Sequence, residues 1–568
     1  MMKDSDRWQM MKLWRYALGG VLSSLLVILA TPLSSYALET SASPAYREFP
    51  IIGSRVAVWV VAQLHLMFAA FVVGVPIFAV IVEYIGVKTK DPRYDRLAHE
   101  FTKLLSMAFS TTATFGAILL FFFIGLYPAF FHYMTEVFFP TMVLYVFLFF
   151  GEAFSLYLYY YGWEAMIHRK GLHLTLGVLL NVFGLLIMVI SNTWATFMMS
   201  PAGIDDDGKL VSLWAAINNF TWWPVNIHRF IANISFGGSI VGAYAAFRFL
   251  SAKTQEERAH YDWMGYIGNV IGVSALIPLP FAGYWLAREI YGFSQQMGIT
   301  MMGGIFSWLF IIQAVLIGAL FLAANYYLWL GMGRIRGAER YRKYTKFLLL
   351  ILTVCFLVWL TPHSLVASLE ESRRMGGAHH PLLGVLGVMS AKNTVVNLMI
   401  LTTFLSFLMY MRANKIAAPI HWARRGTLPV VVPFSFAILF MVFYGIIWIS
   451  TPSSLILSVI LAVFFGVLVN IAASKRMMTS SRVGNWVLGI VFLCASSIII
   501  GYGIYGYYVE AIVRIGFSIK QVSSVLVTIL LGILLFILQF RDAQETGAIE
   551  WGKMSARSQY ALFLLAIS

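Results

Sequence analysis

Long apolar runs recur along the whole chain, each separated from the next by a short polar stretch. A helix needs about 20 apolar residues to cross the hydrocarbon of a bilayer. The pattern predicts about thirteen such spans, at roughly 56–82, 105–127, 139–161, 174–196, 226–247, 263–286, 303–330, 347–369, 381–410, 428–449, 453–472, 485–508 and 519–540. The runs are continuous, which excludes a barrel of short alternating strands. The expected fold is all-α, a polytopic helical membrane protein. The closing stretch Tyr560 to Ile567 is apolar but too short to span, and is expected to lie in the interface or to begin a further helix.

The polar stretches add orientation. Lys12 and Arg15 precede the apolar segment Tyr16 to Ala30, and Ser35-Tyr36-Ala37 offers a small-x-small cleavage site. Residues 1–37 therefore read as a signal peptide or an anchor helix. Basic residues gather in alternate loops: Lys88, Lys90, Arg93 and Arg96; Arg169 and Lys170; Lys253 and Arg258; Arg334 to Lys343; Arg412 to Arg425; Lys475 to Arg482. These loops are expected on the cytoplasmic side. Opposite loops are poorer in Lys and Arg, as at Ile204-Asp205-Asp206-Asp207, with Arg373 and Arg374 as exceptions.

Of the 568 residues, 60% are hydrophobic and 11% charged, and the formal net charge is +15. Because the excess sits in loops between spans, it implies anionic lipid rather than nucleic acid. The 2 cysteines, Cys355 and Cys494, form no CxxC or CxxCH motif, which argues against a zinc site or a covalently attached haem.

Three histidines stand inside or at the edge of apolar runs, toward the same face of the membrane: His65, His228 and His363. Ionisable or ligating side chains are costly in hydrocarbon, and imidazoles at similar depth on different helices suggest a bound metal. His65 lies about nine residues into its span, roughly 14 Å deep at 1.5 Å per residue. It also fits a buried histidine bonded to a carbonyl of a neighbouring helix. His228, behind Trp222, Trp223 and Pro224, also fits an interfacial histidine beside an aromatic belt. His363 follows Pro362, which would bend its helix. Glu152 falls in mid-span and should be neutral or paired. Its alternatives are proton transfer and a structural hydrogen bond between helices. Glu83, at a span end, reads equally as a snorkelling surface acid.

Local patterns over about residues 55 to 250 resemble subunit I of cytochrome bd-type quinol oxidases. They are Leu64-His65-Leu66-Met67-Phe68 on a helix ending in Glu83, and the loop Lys88-Thr89-Lys90-Asp91-Pro92-Arg93-Tyr94-Asp95-Arg96. They continue with Gly151-Glu152-Ala153-Phe154 running into Tyr161-Gly162-Trp163-Glu164, then Asn192-Thr193-Trp194 with Pro201, and Val225-Asn226-Ile227-His228. The resemblance implies a haem-binding domain over 51–415, with 416–568 as additional transmembrane helices. It implies His65 and His228 as haem ligands, Arg229 as partner of a haem propionate, and Glu152 as a proton-transfer group. Haem b would be the cofactor, with two or more haems in all; the resemblance does not fix whether haem d is among them. Quinol or a cytochrome would donate electrons, oxygen would accept them, and a second membrane subunit would pair with the chain in a bacterial inner membrane.

The chain also departs from the family. A second glutamate near the oxygen-reducing haem is replaced by Leu144. The methionine of the low-spin haem, and an arginine two residues before it, fall on Leu309 and Ser307, with Met301 and Met302 nearby. The long quinol-binding loop is absent: Arg288 to Gly298 stands in its place. Thr361-Pro362-His363-Ser364 replaces the late glutamate and its Gly-Arg-Gln-Pro-Trp signature, so His363 could restore a lost ligand; His379-His380 follow it. Three readings remain: a haem-containing respiratory oxidoreductase, a haem b electron-transfer subunit without oxygen reduction, and a transporter lined by buried polar residues.

Overall fold

The computed structural model describes residues 46–294, 296–298, 307–361, 388–416 and 549–568, with scattered positions between 489 and 545. His363, His379, His380, Met301 and Met302, the signal-like segment 1–37 and the spans expected at 428–472 lie outside the described residues.

The chain is helical, as its continuous apolar runs require. The helices are α1 (Ser54–Thr89), α2 (Pro92–Leu126), α3 (Pro128–Tyr161), α4 (Lys170–Met199), the short α5 (Leu213–Ile217), α6 (Trp222–Ser251), α7 (Gln255–Leu276) and α8 (Leu279–Phe293). There follow α9 (Ser307–Gly331), α10 (Glu339–Trp359), α11 (Val388–Arg412) and α12 (Ala556–Ile567). The described strands are one antiparallel pair of two residues each, Lys415–Ile416 with Gln544–Glu545. Among the described residues, 8 spans are long and apolar enough to cross a membrane, with α7 and α8 counted as one continuous span.

The ends follow local chemistry. Asp91 accepts the backbone N–H of Arg93 at 3.0 Å, and Pro92 opens α2 where no intrahelical N–H is needed. Thr254 and Glu257 form a reciprocal capping box at the start of α7. Pro140 breaks α3, whose backbone leaves helical geometry at Phe138.

The chain forms two compact units. In the smaller one, Met1–Ala62 with Ala117–Glu136, the described residues dock residues 46–53 on the end of α2. The Arg47 N–H donates to the Leu126 carbonyl at 2.7 Å, and Phe49 packs on Phe122 at 5.6 Å.

The larger unit is organised by the α6–α7 pair. Two small-residue ladders face each other there, Gly238 with Gly242 and Gly268 with Gly272. A Cβ at Gly238 would lie 2.7 Å from the Gly272 nitrogen, and one at Gly268 would lie 2.7 Å from the Gly242 nitrogen. Backbones approach this closely only where side chains are absent, the usual device of membrane helix pairs. α1 crosses α6 in the same manner, with Gly74 against Gly237.

α12 is a twelve-residue helix packed on α6 and α9, with Ala561, Leu562 and Leu565 buried. Leu562 fills the notch left by Gly242 and Gly265. The segment before it is held by a buried ion pair: Arg334 donates to Asp262, whose other oxygen accepts the Gly552 N–H at 2.8 Å. Arg334 also lies over Trp551, 4.8 Å from its centroid.

Candidate functional site

His65 projects from α1 toward α2. Its Nδ1 lies 3.0 Å from the carbonyl of Thr112. A carbonyl only accepts, so Nδ1 carries the proton and Nε2 keeps a free lone pair. Among the described residues Nε2 makes no hydrogen bond. Gly116, one turn along α2, leaves room for the ring: a Cβ there would stand 3.0 Å from His65 Cε1. Both readings of this histidine meet here, since the carbonyl bond satisfies one nitrogen and leaves the other available.

His228 stands in the second turn of α6, half-buried, and neither ring nitrogen is hydrogen-bonded among the described residues. Gly283 of α8 faces it, and a Cβ there would touch the imidazole edge at 3.7 Å. The adjacent Arg229 lies within range of the His65 imidazole and acts on it electrostatically. Its guanidinium donates to Asn192 of α4, whose amide in turn donates to Asn226 at 2.6 Å. No carboxylate pairs with Arg229 among the described residues. The Asn192-Thr193-Trp194 and Asn226-Ile227-His228 motifs, distant in sequence, thus meet through a buried polar chain.

Glu152 is buried in mid-span on α3, and its carboxyl makes no hydrogen bond among the described residues. Gly184 of α4 opens the space it occupies: a Cβ there would lie 2.7 Å from Glu152 Oε1. Among the described residues the structural hydrogen bond, one of its expected alternatives, is not formed.

Glu83 corrects one expectation. It is fully buried rather than a surface acid. Tyr159 donates to it at 2.8 Å, Lys170 at 3.1 Å, and His173 Nδ1 lies 2.7 Å away. The other His173 nitrogen faces the Tyr159 carbonyl at 2.8 Å and must donate to it, so one further proton lies between His173 and Glu83. Lys170 also pairs with Asp95 at 2.6 Å. At the nearby loop, Arg93 holds the Asp91 carboxyl below the usual carboxylate range, chiefly by hydrogen bonding. Arg288 and Glu289, expected in a loop, belong to α8 and are 4.0 Å apart. No group of three or more His, Cys, Asp or Glu could hold a metal by itself among the described residues. His65 and His228 stand on separate helices, α1 and α6.

In this bundle of apolar helices, two part-buried imidazoles thus each face a glycine, and each has at least one nitrogen unbonded among the described residues. By comparison, residues 54–308 match the family model described as cytochrome bd terminal oxidase subunit I. It is 26% identical over 241 residues to the putative cytochrome bd menaquinol oxidase subunit I of Bacillus subtilis (strain 168). That match covers 41% of this chain and 53% of the relative, so the chain spans about half the length of the curated protein it matches. The solved bd oxidase from Geobacillus thermodenitrificans aligns with 74% of this chain and 98% of its own, at a TM-score of 0.41 and 15% identity.

Proposed function

We propose that this protein is a haem-bearing subunit of a membrane oxidoreductase that takes electrons from a quinol and passes them to a terminal acceptor, oxygen. The observation that carries this reading is His65. A ligating histidine normally donates its second ring N–H to a carbonyl or carboxylate, which fixes the tautomer and orients the ring. Thr112 supplies that carbonyl and Gly116 the space beside the ring. The residues thus fit the group the family implies. His65 and His228 would be axial ligands, and Arg229, with no carboxylate partner among the described residues, would hold a propionate. Bound haem would supply one-electron transfer, tuned by its axial ligands and surroundings.

The chain's own residues account for the rest. Asn192 fixes the Arg229 guanidinium, and Asn226 fixes Asn192. Glu152, without a hydrogen-bonding partner among the described residues, would take up and release a proton at its carboxyl oxygens. The expected His363 ligand stays part of the proposal, as does the electron-donor role of quinol or a cytochrome. A second membrane subunit is the expected partner, in a bacterial inner membrane.

One observation favours a second reading, electron transfer without oxygen reduction. Leu144, where the family places a glutamate, lies on an outward face of α3 and is 48% exposed. Reduced spectra of the purified membrane protein with and without carbon monoxide separate the two. Oxygen reduction predicts haem bands that shift with carbon monoxide and oxygen uptake driven by quinol. Haem bands indifferent to carbon monoxide favour the second reading, and absence of haem bands overturns both.

A further inference from the structure

Lys392 lies about one turn into α11, at the end of the helix away from the basic residues Arg412 and Lys415. It is 5% exposed, and its ammonium makes no hydrogen bond among the described residues. The ammonium stands 3.8 Å from the centroid of Phe310, whose ring packs against Trp359 at 5.5 Å. No carboxylate pairs with it among the described residues. The turn of α11 around it is polar. Gln521 receives a hydrogen bond from Asn393 and gives one to Thr394 at 3.1 Å. Asn397 donates to the Tyr284 hydroxyl at 3.2 Å, and that hydroxyl donates to the Asn393 carbonyl at 3.2 Å. The Asn397 amide oxygen, buried, receives no donor. Tyr284 follows Gly283, the residue that faces His228.

A cation buried in an apolar bundle without a counter-charge is costly, and attraction to a ring offsets only part of that cost. Ionisable groups kept in such positions mark functional sites. We propose that Lys392 is the cationic end of a binding site for a negatively polarised oxygen of a ring-shaped ligand, with Phe310 and Trp359 as its apolar wall. Two sources supply that oxygen: a propionate of a haem held at His228, or the head-group oxygen of a quinone. The identity of the ligand rests on the proposed redox function; the presence of a site does not.

The test uses the purified full chain with Lys392→Met, which keeps the length and removes the charge, and Lys392→Arg, which keeps the charge. Haem redox titration and binding of menadione, a tail-less naphthoquinone, are measured on each. With a propionate at the site, the Met variant shifts one haem toward its oxidised form at least tenfold, about 59 mV for one electron, and menadione binding is unchanged. With a quinone there, menadione affinity falls at least tenfold and the haem equilibrium stays. In either case Lys392→Arg returns to within about threefold of wild type. A Met variant with a higher Tm and both readouts within twofold of wild type overturns the site, because removing an idle buried charge should only stabilise the fold. If the Met variant does not accumulate, Lys392→Gln takes its place in the same comparison. Wild-type protein without haem bands would sink the redox function; menadione binding would then decide Lys392 alone, lost in the variant if the site is real and unchanged if it is not.

Discussion

His65 differs from an ordinary buried histidine in the inequality of its two nitrogens, one bonded to Thr112 and one unbonded among the described residues. Its depth was readable from sequence, because a polar residue in a long apolar run is conspicuous. Gly116, which makes room for it, was not readable, because one glycine in a helix carries no address. The account predicts that Gly116→Val lowers haem content at least tenfold without touching a ligand, as measured by absorbance per chain. The added side chain would collide with the imidazole. Glu152→Gln should leave haem content and Tm unchanged while slowing quinol-driven oxygen uptake at least tenfold; uptake within twofold of wild type contradicts its proton role. The burial of Glu83 was not legible in the sequence, because its partners Tyr159, Lys170 and His173 come from other helices. The surroundings of Lys392 were not legible in the sequence, because Phe310 beside it comes from another helix.

Apolar periodicity located the helices, and capping chemistry refined their starts. α2 begins at Pro92, before its apolar run, because Asp91 caps it. Asp91→Ala should cost about 1 kcal/mol. The Asp91 carboxyl is held low, so its contribution is present above the unfolded carboxylate pKa and is lost as pH falls through the lower folded value. Arg93 is half-exposed, which keeps the ion-pair part of that contribution small, about 0–1 kcal/mol. A thermal melt of wild type and Asp91→Ala across acid pH should show the two converge as Asp91 protonates; a constant gap contradicts the assignment. The α6–α7 ladder was present in the sequence as two glycine pairs four apart, but which helices they join is a tertiary fact. Gly268→Leu should lower the Tm by overpacking, about 1–3 kcal/mol.

At the scale of the whole molecule, the all-α membrane architecture follows from run length, and residues 54–308 match the family model. The route of the chain end was not legible, since it depends on Asp262 and Arg334 meeting 72 residues apart and on Gly552 joining them from the far end. Asp262→Ala leaves Arg334 buried without its partner. It should destabilise the fold by about 3–5 kcal/mol and free residues 549–568 to protease, read by mass spectrometry of limited digests. The central claim, that His65 and His228 each bind haem, is tested most directly by counting haem per chain as the pyridine haemochrome. Wild type, His65→Ala and His228→Ala should be compared at equal folded fraction. The account predicts two or more haems in wild type and the loss of one in each variant. Equal haem in all three, or none in wild type, contradicts it.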